Sequence, residues 1–328
     1  MGKRAALVAW FTGMAVVVGL TAWSGVDLVG HALTSIGAGV VLVVIVRAVA
    51  VAGAGAGWWL LFPEAERPQL RTCVLLRFIR EATNAILPLA QIGGDFIGAR
   101  CLTRYGVAGP LAAASVIVDV LVQAATQFLF AIVGVVLLLA MGGDAMVAQT
   151  AAVGMAVATP ALAGFFLAQR QGGQRILKGV LARLDGAREW RAFGAIDELY
   201  ARLNAFYGYR EGMATACVLH LVVWFVGATE VWIVLSFMGY AASFGEAVII
   251  ESLMHAVRGA AFVVPGALGV QEGGLIVLCA MFGLPPEAAL ALSLAKRIPD
   301  LVLGVPGLVT WQAIEGRHYL GVSRRPGT

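Results

Sequence analysis

The sequence predicts an all-α polytopic membrane protein, with about six full transmembrane helices and two re-entrant broken-helix hairpins in an inverted repeat. Three observations predict it: the composition, the lengths of the apolar segments and the placement of the basic residues. Of 328 residues, 60% are hydrophobic and 13% are charged, whereas a soluble domain carries about 45–50% apolar and about 25% charged residues. This composition excludes a water-soluble enzyme, a nucleic-acid-binding module and a disordered chain.

Six apolar segments are long enough to span a bilayer, which takes about 20 residues. They are 5–23, 36–62, 110–140, 146–169, 213–238 and 287–313. The first follows Lys3 and Arg4, as the apolar region of a signal peptide would. It lacks a small-residue cleavage site, so we interpret it as a helix of the protein.

The basic residues predict the orientation. Segment 170–212 holds eight Lys or Arg residues, whereas the connectors 24–35, 142–145 and 239–247 hold none. Because loops rich in Lys and Arg stay in the cytoplasm, we expect segment 170–212 and both termini to be cytoplasmic.

Two apolar stretches, 63–109 and 243–286, do not fit as single spans because each is interrupted by proline and glycine. Irregular backbone at membrane depth is tolerated only where it is buried in protein or lines a wet cavity. We therefore expect both stretches to enter the membrane and return to the same side. The candidate hinge residues are Pro88, Gly93, Gly94, Pro265, Gly273 and Gly274.

The two interrupted stretches correspond at an offset of 177 residues, which places Pro88 on Pro265 and Asp95 on Glu272. The alternative is coincidence in a chain of low diversity. We predict one membrane domain over 1–328, divided into a first repeat unit (36–141), a connecting helix with a basic amphipathic cytoplasmic loop (142–212) and a second, inverted unit (213–318). Inverted repeats with broken helices are a transporter architecture.

Charged residues lie inside the apolar segments, where each costs about 2.5–3.5 kcal/mol on the mildest scale. We predict a substrate-binding cavity lined by Arg80, Glu81, Asp95, Arg100, Asp119, Glu251, His255, Arg258, Glu272, Lys296, Arg297 and Asp300. The alternative for each residue is a buried ion pair that fixes packing. Of the four histidines, we place only His255 in this cavity, because its spacing from Glu251 and Arg258 puts all three on one helix face.

The 177-residue offset also places Glu81 on Arg258 and Asp119 on Lys296, with the charge reversed each time. We predict that these residues pair across the pseudo-symmetry axis.

No nucleotide-binding GxxxxGK[ST], HExxH or GxSxG motif is present. We therefore expect no cofactor, no metal, no catalytic residue and no ATP hydrolysis by this chain.

Two passages carry a family resemblance: LPLAQIGGDFIGARCLTRYGV (87–107) and HAVRGAAFVVPGALGVQEGGLIVLCAMFGLPPEAALALSLAKRIPDLVLGVPGLVTWQ (255–312). They resemble the HpnL-type membrane proteins of hopanoid-biosynthesis loci, within the flippase-like transmembrane family of lysylphosphatidylglycerol synthases. The resemblance implies a multi-pass protein of the bacterial inner membrane that moves or otherwise handles a lipid. The soluble aminoacyl-transfer domain of the larger synthases has no counterpart in this sequence.

We therefore predict a flippase that moves a lipid between leaflets through the charged cavity. The lipid carries a phospholipid headgroup or is related to hopanoids. One alternative is a membrane-embedded lipid-modifying enzyme, with Glu251 and His255 as general base and orienting partner. Another is a non-catalytic partner of hopanoid-biosynthesis enzymes. The expected partners are a membrane lipid and hopanoid biosynthesis or transport proteins, with no nucleic acid, and the oligomeric state is left open.

Overall fold

The computed structural model describes residues 26–87, 93–142, 145–170, 172–175, 189–261, 264 and 267–322. Within these ranges the chain is helical, with short turns and no strand. The helices there are α1 (Val26–Ile36), α2 (Gly39–Leu61), α3 (Leu70–Ile86), α4 (Gly93–Arg104), α5 (Gly109–Ala140), α6 (Ala145–Ala168), α7 (Glu189–Gly208), α8 (Arg210–Phe237), α9 (Phe244–Ala260), α10 (Val270–Ala280) and α11 (Pro286–Val322). A short 3-10 helix, Glu64–Glu66, follows α2.

Three of the described helices, α2, α5 and α8, are long and apolar enough to cross a membrane. They coincide with the predicted spans 36–62, 110–140 and 213–238, which confirms a helical membrane protein. The predicted spans 146–169 and 287–313 fall within α6 and α11. The predicted span 5–23 lies outside the described residues.

Helices α8 to α11 repeat the order and spacing of α2 to α5. Adding 177 to the first residues of α4 and α5, Gly93 and Gly109, gives the first residues of α10 and α11, Val270 and Pro286. The packing follows the same correspondence: α2 lies against α8, α3 against α11, and α9 against α5. Each set of four helices therefore packs its second helix against the last helix of the other set.

The stretch 63–109 contains two helices, α3 and α4, which pack as an antiparallel pair. A Cβ on Gly94 would lie 2.2 Å from the backbone oxygen of Arg80, and one on Gly98 would lie 2.6 Å from the Arg80 side chain. Because both positions are glycine, the backbone of α4 can lie in direct contact with α3. The predicted hinge Pro88 lies outside the described residues.

The stretch 243–286 likewise contains two helices that pack together, α9 and α10. Gly273 and Gly274 lie inside the first turns of α10 and not at its interruption, and a Cβ on Gly274 would lie 3.1 Å from Met254. Gly274 thus lies at a helix–helix contact, and the hinge role of both glycines stays a prediction. Pro265 lies outside the described residues.

The last helix contains two prolines in its interior. Helix α11 continues through Pro299 and Pro306 over 37 residues. Proline is tolerated in membrane helices because neighbouring helices and side chains satisfy the freed backbone groups.

Helix α7 lies on the first helix set. Its buried residues Ile196, Tyr200, Leu203 and Phe206 join a cluster that contains residues of α2, α3, α4 and α5. The Phe206 ring meets the edge of Phe62 at a centroid distance of 5.6 Å, and Arg202 pairs with Glu66. This part of the predicted amphipathic segment is therefore docked on the bundle through its apolar face.

Candidate functional site: two buried ion networks

Two networks of charged side chains cross the helical bundle. The first network joins α3, α4, α5 and α8 and comprises Arg77, Arg80, Glu81, Asp95, Asp119, Gln123 and His220. The second network joins α2, α8, α9 and α11 and comprises Arg47, Glu230, Glu251, His255, Lys296 and Asp300.

Asp119 is the centre of the first network and is fully buried. Its Oδ2 accepts hydrogen bonds from Arg80 at 2.7 Å, from Arg77 at 3.2 Å and from Gln123 at 2.7 Å. Its Oδ1 lies 3.2 Å from Nε2 of the buried His220. A carboxylate at this depth is stabilised because several donors replace its lost hydration.

Arg80 connects the two helices of the first interrupted stretch. It donates through Nη2 and Nε to Asp95, at 2.6 and 3.0 Å, and its guanidinium lies 4.8 Å from the centre of the Trp58 ring. Only 2% of the Arg80 side chain is exposed. The ion pair therefore holds the start of α4 against α3.

Glu230 and Lys296 form the centre of the second network. Arg47 donates twice to the Glu230 carboxylate, both at 2.7 Å, and also reaches Asp300 at 3.3 Å. Lys296 donates to Glu230 at 3.2 Å and to Glu251 at 2.8 Å. Because Arg47 belongs to α2 and the other groups belong to α8, α9 and α11, this network joins the two helix sets.

His255 lies at one end of the second network. Its Nε2 is 3.1 Å from Oε1 of Glu251, and its ring meets the edge of Trp224 at a centroid distance of 4.7 Å. Gln127 of α5 donates to the His255 carbonyl at 2.9 Å. The imidazole thus contacts residues of α8 and α9, and α5 binds the backbone of the same residue.

Glu272 begins α10 in the way that Asp95 begins α4. One carboxylate oxygen accepts from the backbone N–H of Gly269 at 2.7 Å, and the other accepts from Arg297 at 2.7 Å and from Ser293 at 2.8 Å. An acid in the first helical turn is stabilised by the free N–H groups and by the helix dipole. In both helix sets, therefore, an acid at the start of the short helix binds a buried or half-buried arginine.

Arg258 differs from the arginines and the lysine of the two networks and from Arg297. It forms no hydrogen bond or ion pair with any residue that the structure describes, although Asp300, Glu251, Arg47 and Arg297 are near enough to interact with it electrostatically. It is half-buried near the end of α9. A half-buried guanidinium with unused donors can bind an anionic group, and phosphate fits its planar donor geometry.

A narrow cleft opens beside the second network, between α2, α3 and α11. Its polar lining comes from Arg47, Glu81 and Asp300, and its apolar lining includes Phe78 and Leu303. The volume of the cleft is about 30 Å³, which equals the volume that one water molecule occupies in liquid water. The bundle is therefore closed to a lipid headgroup at this cleft.

Eleven of the twelve predicted site residues lie in or beside the two networks, and one does not. Arg100 is 54% exposed and pairs with Glu315 on the surface, at 2.9 and 3.1 Å. It lies on the outward face of α4, away from Arg80, so the sequence-based assignment of Arg100 to the cavity is corrected.

The predicted pairs across the pseudo-symmetry axis are also wrong. Glu81 pairs with Arg77 at 2.5 Å and not with Arg258, and Lys296 pairs with Glu230 and Glu251 and not with Asp119. The reason is the helix packing: α11 presents Lys296 to α8 and α9, while Asp119 of α5 faces α3 and α8.

Five members of the networks are missing from the predicted site: Arg47, Arg77, Gln123, His220 and Glu230. Of these, His220 and Glu230 are the most deeply buried, with 1% of each residue exposed. Both lie in α8, a 28-residue apolar helix. A carboxylate inside such a helix is itself a signal of function, and that signal predicts Glu230, whereas a single histidine carries a weaker one.

Among the residues that the structure describes, no group of three His, Cys, Asp or Glu side chains could hold a metal ion. The four cysteines are free, and three of them are buried.

A comparison with known protein families extends over most of the chain. Residues 10–307 match the family described as the lysylphosphatidylglycerol synthase TM region. No curated protein and no solved structure matches the chain. The matched range includes every residue of both ion networks.

Proposed function

The chain belongs to the family of the lysylphosphatidylglycerol synthase transmembrane region, and from that premise we propose that it is a flippase. It moves a lipid between the leaflets of a bacterial inner membrane, with both termini in the cytoplasm. The observation that carries the proposal is the pair of buried ion networks, together with Arg258, an arginine beside the second network whose donors bind no residue that the structure describes. Charges needed only for packing would not explain a half-buried Arg258 that pairs with no residue the structure describes.

The two helix sets form an inverted repeat in this proposal. The shared 177-residue spacing and the matched packing of α3 on α11 and α9 on α5 support it. In transporters of this architecture, one repeat moves against the other around a central site. The ion pairs between Arg47 of α2 and Glu230 of α8 are then contacts that help hold the closed state.

Arg258 holds the lipid headgroup. Lys296 and Arg80 are 4% and 2% exposed and already bind two carboxylates each, so they are poorly placed to bind a phosphate. The donors of Arg258 bind no residue that the structure describes, and a phosphate there would add charge-assisted hydrogen bonds. The substrate is thus a phospholipid or a hopanoid-related lipid with an anionic group, whose apolar chains stay in the bilayer.

The headgroup enters where α3 and α11 separate. A Cβ on Gly304 of α11 would lie 2.6 Å from the Ile86 side chain of α3, and one on Gly307 would lie 2.8 Å from the Ala82 side chain. Side chains of α3 therefore pack directly against the backbone of α11 and close this seam. Small residues at a helix interface allow close approach without interlocking side chains. Opening the seam would widen the cleft lined by Arg47, Glu81 and Asp300.

Leaflet exchange tests the proposal. Purified protein is placed in liposomes with a fluorescent phospholipid, and dithionite quenches the outer leaflet. We expect the protected half to become accessible with the wild type but not in protein-free vesicles. We expect Arg258→Gln to slow exchange about tenfold, since a hydrogen bond to a charged group contributes about 1.5 kcal/mol or more.

Arg202→Gln is the matched control, because Arg202 pairs with Glu66 away from both networks. Equal rates for Arg258→Gln and Arg202→Gln would remove Arg258 from the site. No exchange by the wild type, with phospholipid or with a fluorescent anionic hopanoid, would refute the flippase.

One observation favours a second candidate, a lipid-modifying enzyme. His255 lies 3.1 Å from Glu251, which is within reach for a base and its orienting partner. Lys296 also binds the same Glu251 oxygen and competes for it. Incubation with total lipid followed by mass spectrometry separates the two functions: a new lipid species, lost in His255→Gln, would indicate the enzyme.

A further inference from the structure

A second cavity lies at one end of the first helix set and shares no residue with either ion network. Its volume is about 510 Å³, which is within the range of about 300–1,000 Å³ that is usual for small-molecule sites. Its wall consists of residues 65–69, residues 105–108, Thr72 and Leu111. These are the turns that precede α3 and α5 and the first residues of the two helices. The cavity is therefore large enough for a phosphate group and part of the molecule that carries it.

Helices α3 and α5 both begin at this cavity. The residues before their first turns are Gln69 and Ala108, and neither caps its helix with a side chain. The first N–H groups of a helix have no partner inside the helix, and those of Arg71 and Leu111 donate to no residue that the structure describes. Two helix N-termini thus bring free donors and the positive ends of their dipoles to one space, which favours an anion.

Thr72 is a buried residue whose hydroxyl has no partner among the described residues. Other buried threonines in the helices, such as Thr83 and Thr126, donate to the backbone oxygen four positions earlier. For Thr72 that oxygen belongs to Pro68, and it accepts from Nε1 of Trp59 at 2.8 Å instead. Only 6% of Thr72 is exposed, and because Thr72 is part of the cavity wall, that fraction faces the cavity. A buried hydroxyl without a partner is costly, so a ligand that binds it would be stabilised.

Arg67 lines the same cavity and is held in place from three sides. Its Nε donates to the backbone oxygen of Phe62 at 3.1 Å, and its Nη2 donates to the hydroxyl of Tyr209 at 3.3 Å. Its guanidinium lies 4.4 Å from the centre of the Trp59 ring. Its Nη1 forms no hydrogen bond with a described residue. An arginine that is already fixed loses little side-chain freedom when it binds an anion.

One carboxylate also lines the cavity, that of Glu66. It binds Arg202 of α7 at 2.5 Å, so its charge is compensated. The end of α4 brings carbonyl oxygens to the cavity, and the backbone N–H groups of Tyr105 and Gly106 donate to two of them, both at 3.1 Å. These acceptors are occupied, whereas donors of both helix starts are not, and this difference favours an anionic ligand.

We propose that the cavity between the first turns of α3 and α5 binds a phosphate group through Thr72, Arg67 and the free backbone N–H groups. A phosphate has more acceptor oxygens than a carboxylate and can accept from a hydroxyl, a guanidinium and backbone N–H groups together. The phosphate belongs to a phospholipid headgroup or to a soluble compound. The site does not rest on the proposed flippase function, because Arg258 belongs to α9 and is not part of the cavity.

Calorimetric titration with inorganic phosphate tests the site. The protein is kept in dodecyl maltoside micelles, which contain no phosphate, and every variant carries Arg258→Gln so that the proposed headgroup site does not contribute. We expect saturable binding by this background protein. Adding Thr72→Val should weaken binding about tenfold or more, since it removes a hydrogen bond to a charged group. Adding Thr72→Ser, which keeps the hydroxyl, should preserve binding.

Thr83→Val is the matched control for Thr72→Val. Thr83 is also a buried threonine of α3, but its hydroxyl donates to the Ile79 oxygen at 2.8 Å and does not line the cavity. This variant should bind phosphate as the background protein does. Because the Thr72 hydroxyl has no partner to lose, Thr72→Val should melt no lower than Thr83→Val, as measured by circular dichroism. Weaker binding by Thr72→Val would then not arise from loss of the fold.

Native mass spectrometry with phosphatidylglycerol identifies the source of the phosphate, with diacylglycerol as the lipid that lacks it. Retention of phosphatidylglycerol by the background protein and by Thr83→Val, but not by Thr72→Val, would indicate a lipid headgroup. Phosphate binding that depends on Thr72, without such lipid retention, would indicate a soluble phosphorylated compound.

Dependence on Thr72 in either measurement supports the site. No binding of either probe, or equal binding by Thr72→Val and Thr83→Val in both measurements, would overturn it. If the wild type moves no lipid in the exchange assay while phosphate binding depends on Thr72, the flippase fails and the phosphate site stands.

Discussion

Replacing Glu230 by glutamine removes the negative charge and one of the two acceptor oxygens that join α2 to α11 through the second network. The Glu230 side chain is 1% exposed and accepts two hydrogen bonds from Arg47 and one from Lys296. Removing one partner of a buried ion pair costs about 3–5 kcal/mol. Lys296 keeps Glu251 at 2.8 Å and Arg47 keeps Asp300 at 3.3 Å, so we expect the lower end, about 3 kcal/mol.

The assay is reversible unfolding in mixed micelles of a mild detergent and SDS, followed by circular dichroism. Glu66→Gln is the matched control, because Glu66 also pairs with an arginine, Arg202, but is 37% exposed. A surface pair contributes at most about 1 kcal/mol. If Glu230→Gln loses no more stability than Glu66→Gln, Glu230 does not hold the two helix sets together and the reasoning is refuted.

Two further predictions concern a close contact and a buried tyrosine. Gly57→Ala places a methyl group 2.7 Å from Nε2 of His220 and should lower the free energy of unfolding by about 1–3 kcal/mol in the same assay. The control is Gly164→Ala, which has nothing within 4 Å of the added methyl group and should leave stability unchanged or slightly raised. Equal effects of the two substitutions would contradict the close packing at Gly57. The second prediction concerns Tyr207 on α7. Burial raises the pKa of this tyrosine from 10.0 to about 12, although the positive charge of Arg170 acts to lower it. The folded protein therefore holds this proton more tightly than the unfolded chain, so its contribution to stability is complete below pH 10 and is lost as the pH rises towards 12. Melting at pH 9 and pH 11 should show a smaller alkaline loss in Tyr207→Phe than in the wild type or in the exposed control Tyr105→Phe, and an unchanged loss would contradict the burial.

The helices could be predicted from the sequence because hydropathy acts locally. The segments 36–62, 110–140 and 213–238 give α2, α5 and α8 nearly to the residue. The stretches 63–109 and 243–286 each contain two separate helices, as their interrupted patterns predict. The length of a span depends on its own residues and on the thickness of the bilayer.

The partners of the charged residues could not be predicted in the same way. Arg47 pairs with Glu230 and Asp300, which are 183 and 253 positions away. Which side chains meet depends on how each helix is rotated against its neighbours, and a pattern of charge reversal carries no information on rotation. The pairs Glu81–Arg258 and Asp119–Lys296 were wrong for this reason.

His220 shows a different limit. A single histidine in an apolar helix resembles a packed core residue until Asp119 is known to face it at 3.2 Å. Glu230 carried a clearer signal, since a carboxylate in an apolar span is costly unless it is paired.

Leaflet exchange with the α3–α11 seam locked tests the central claim most directly. Ala82→Cys with Gly307→Cys places two thiols at the contact where a Cβ on residue 307 would lie 2.8 Å from the Ala82 Cβ, so a disulfide can form with a small separation of the helices. We predict that oxidation stops lipid exchange in this variant, that reduction restores it, and that each single-cysteine variant is insensitive to oxidation. Exchange at the same rate with the disulfide formed, as verified by mass spectrometry, would contradict the account.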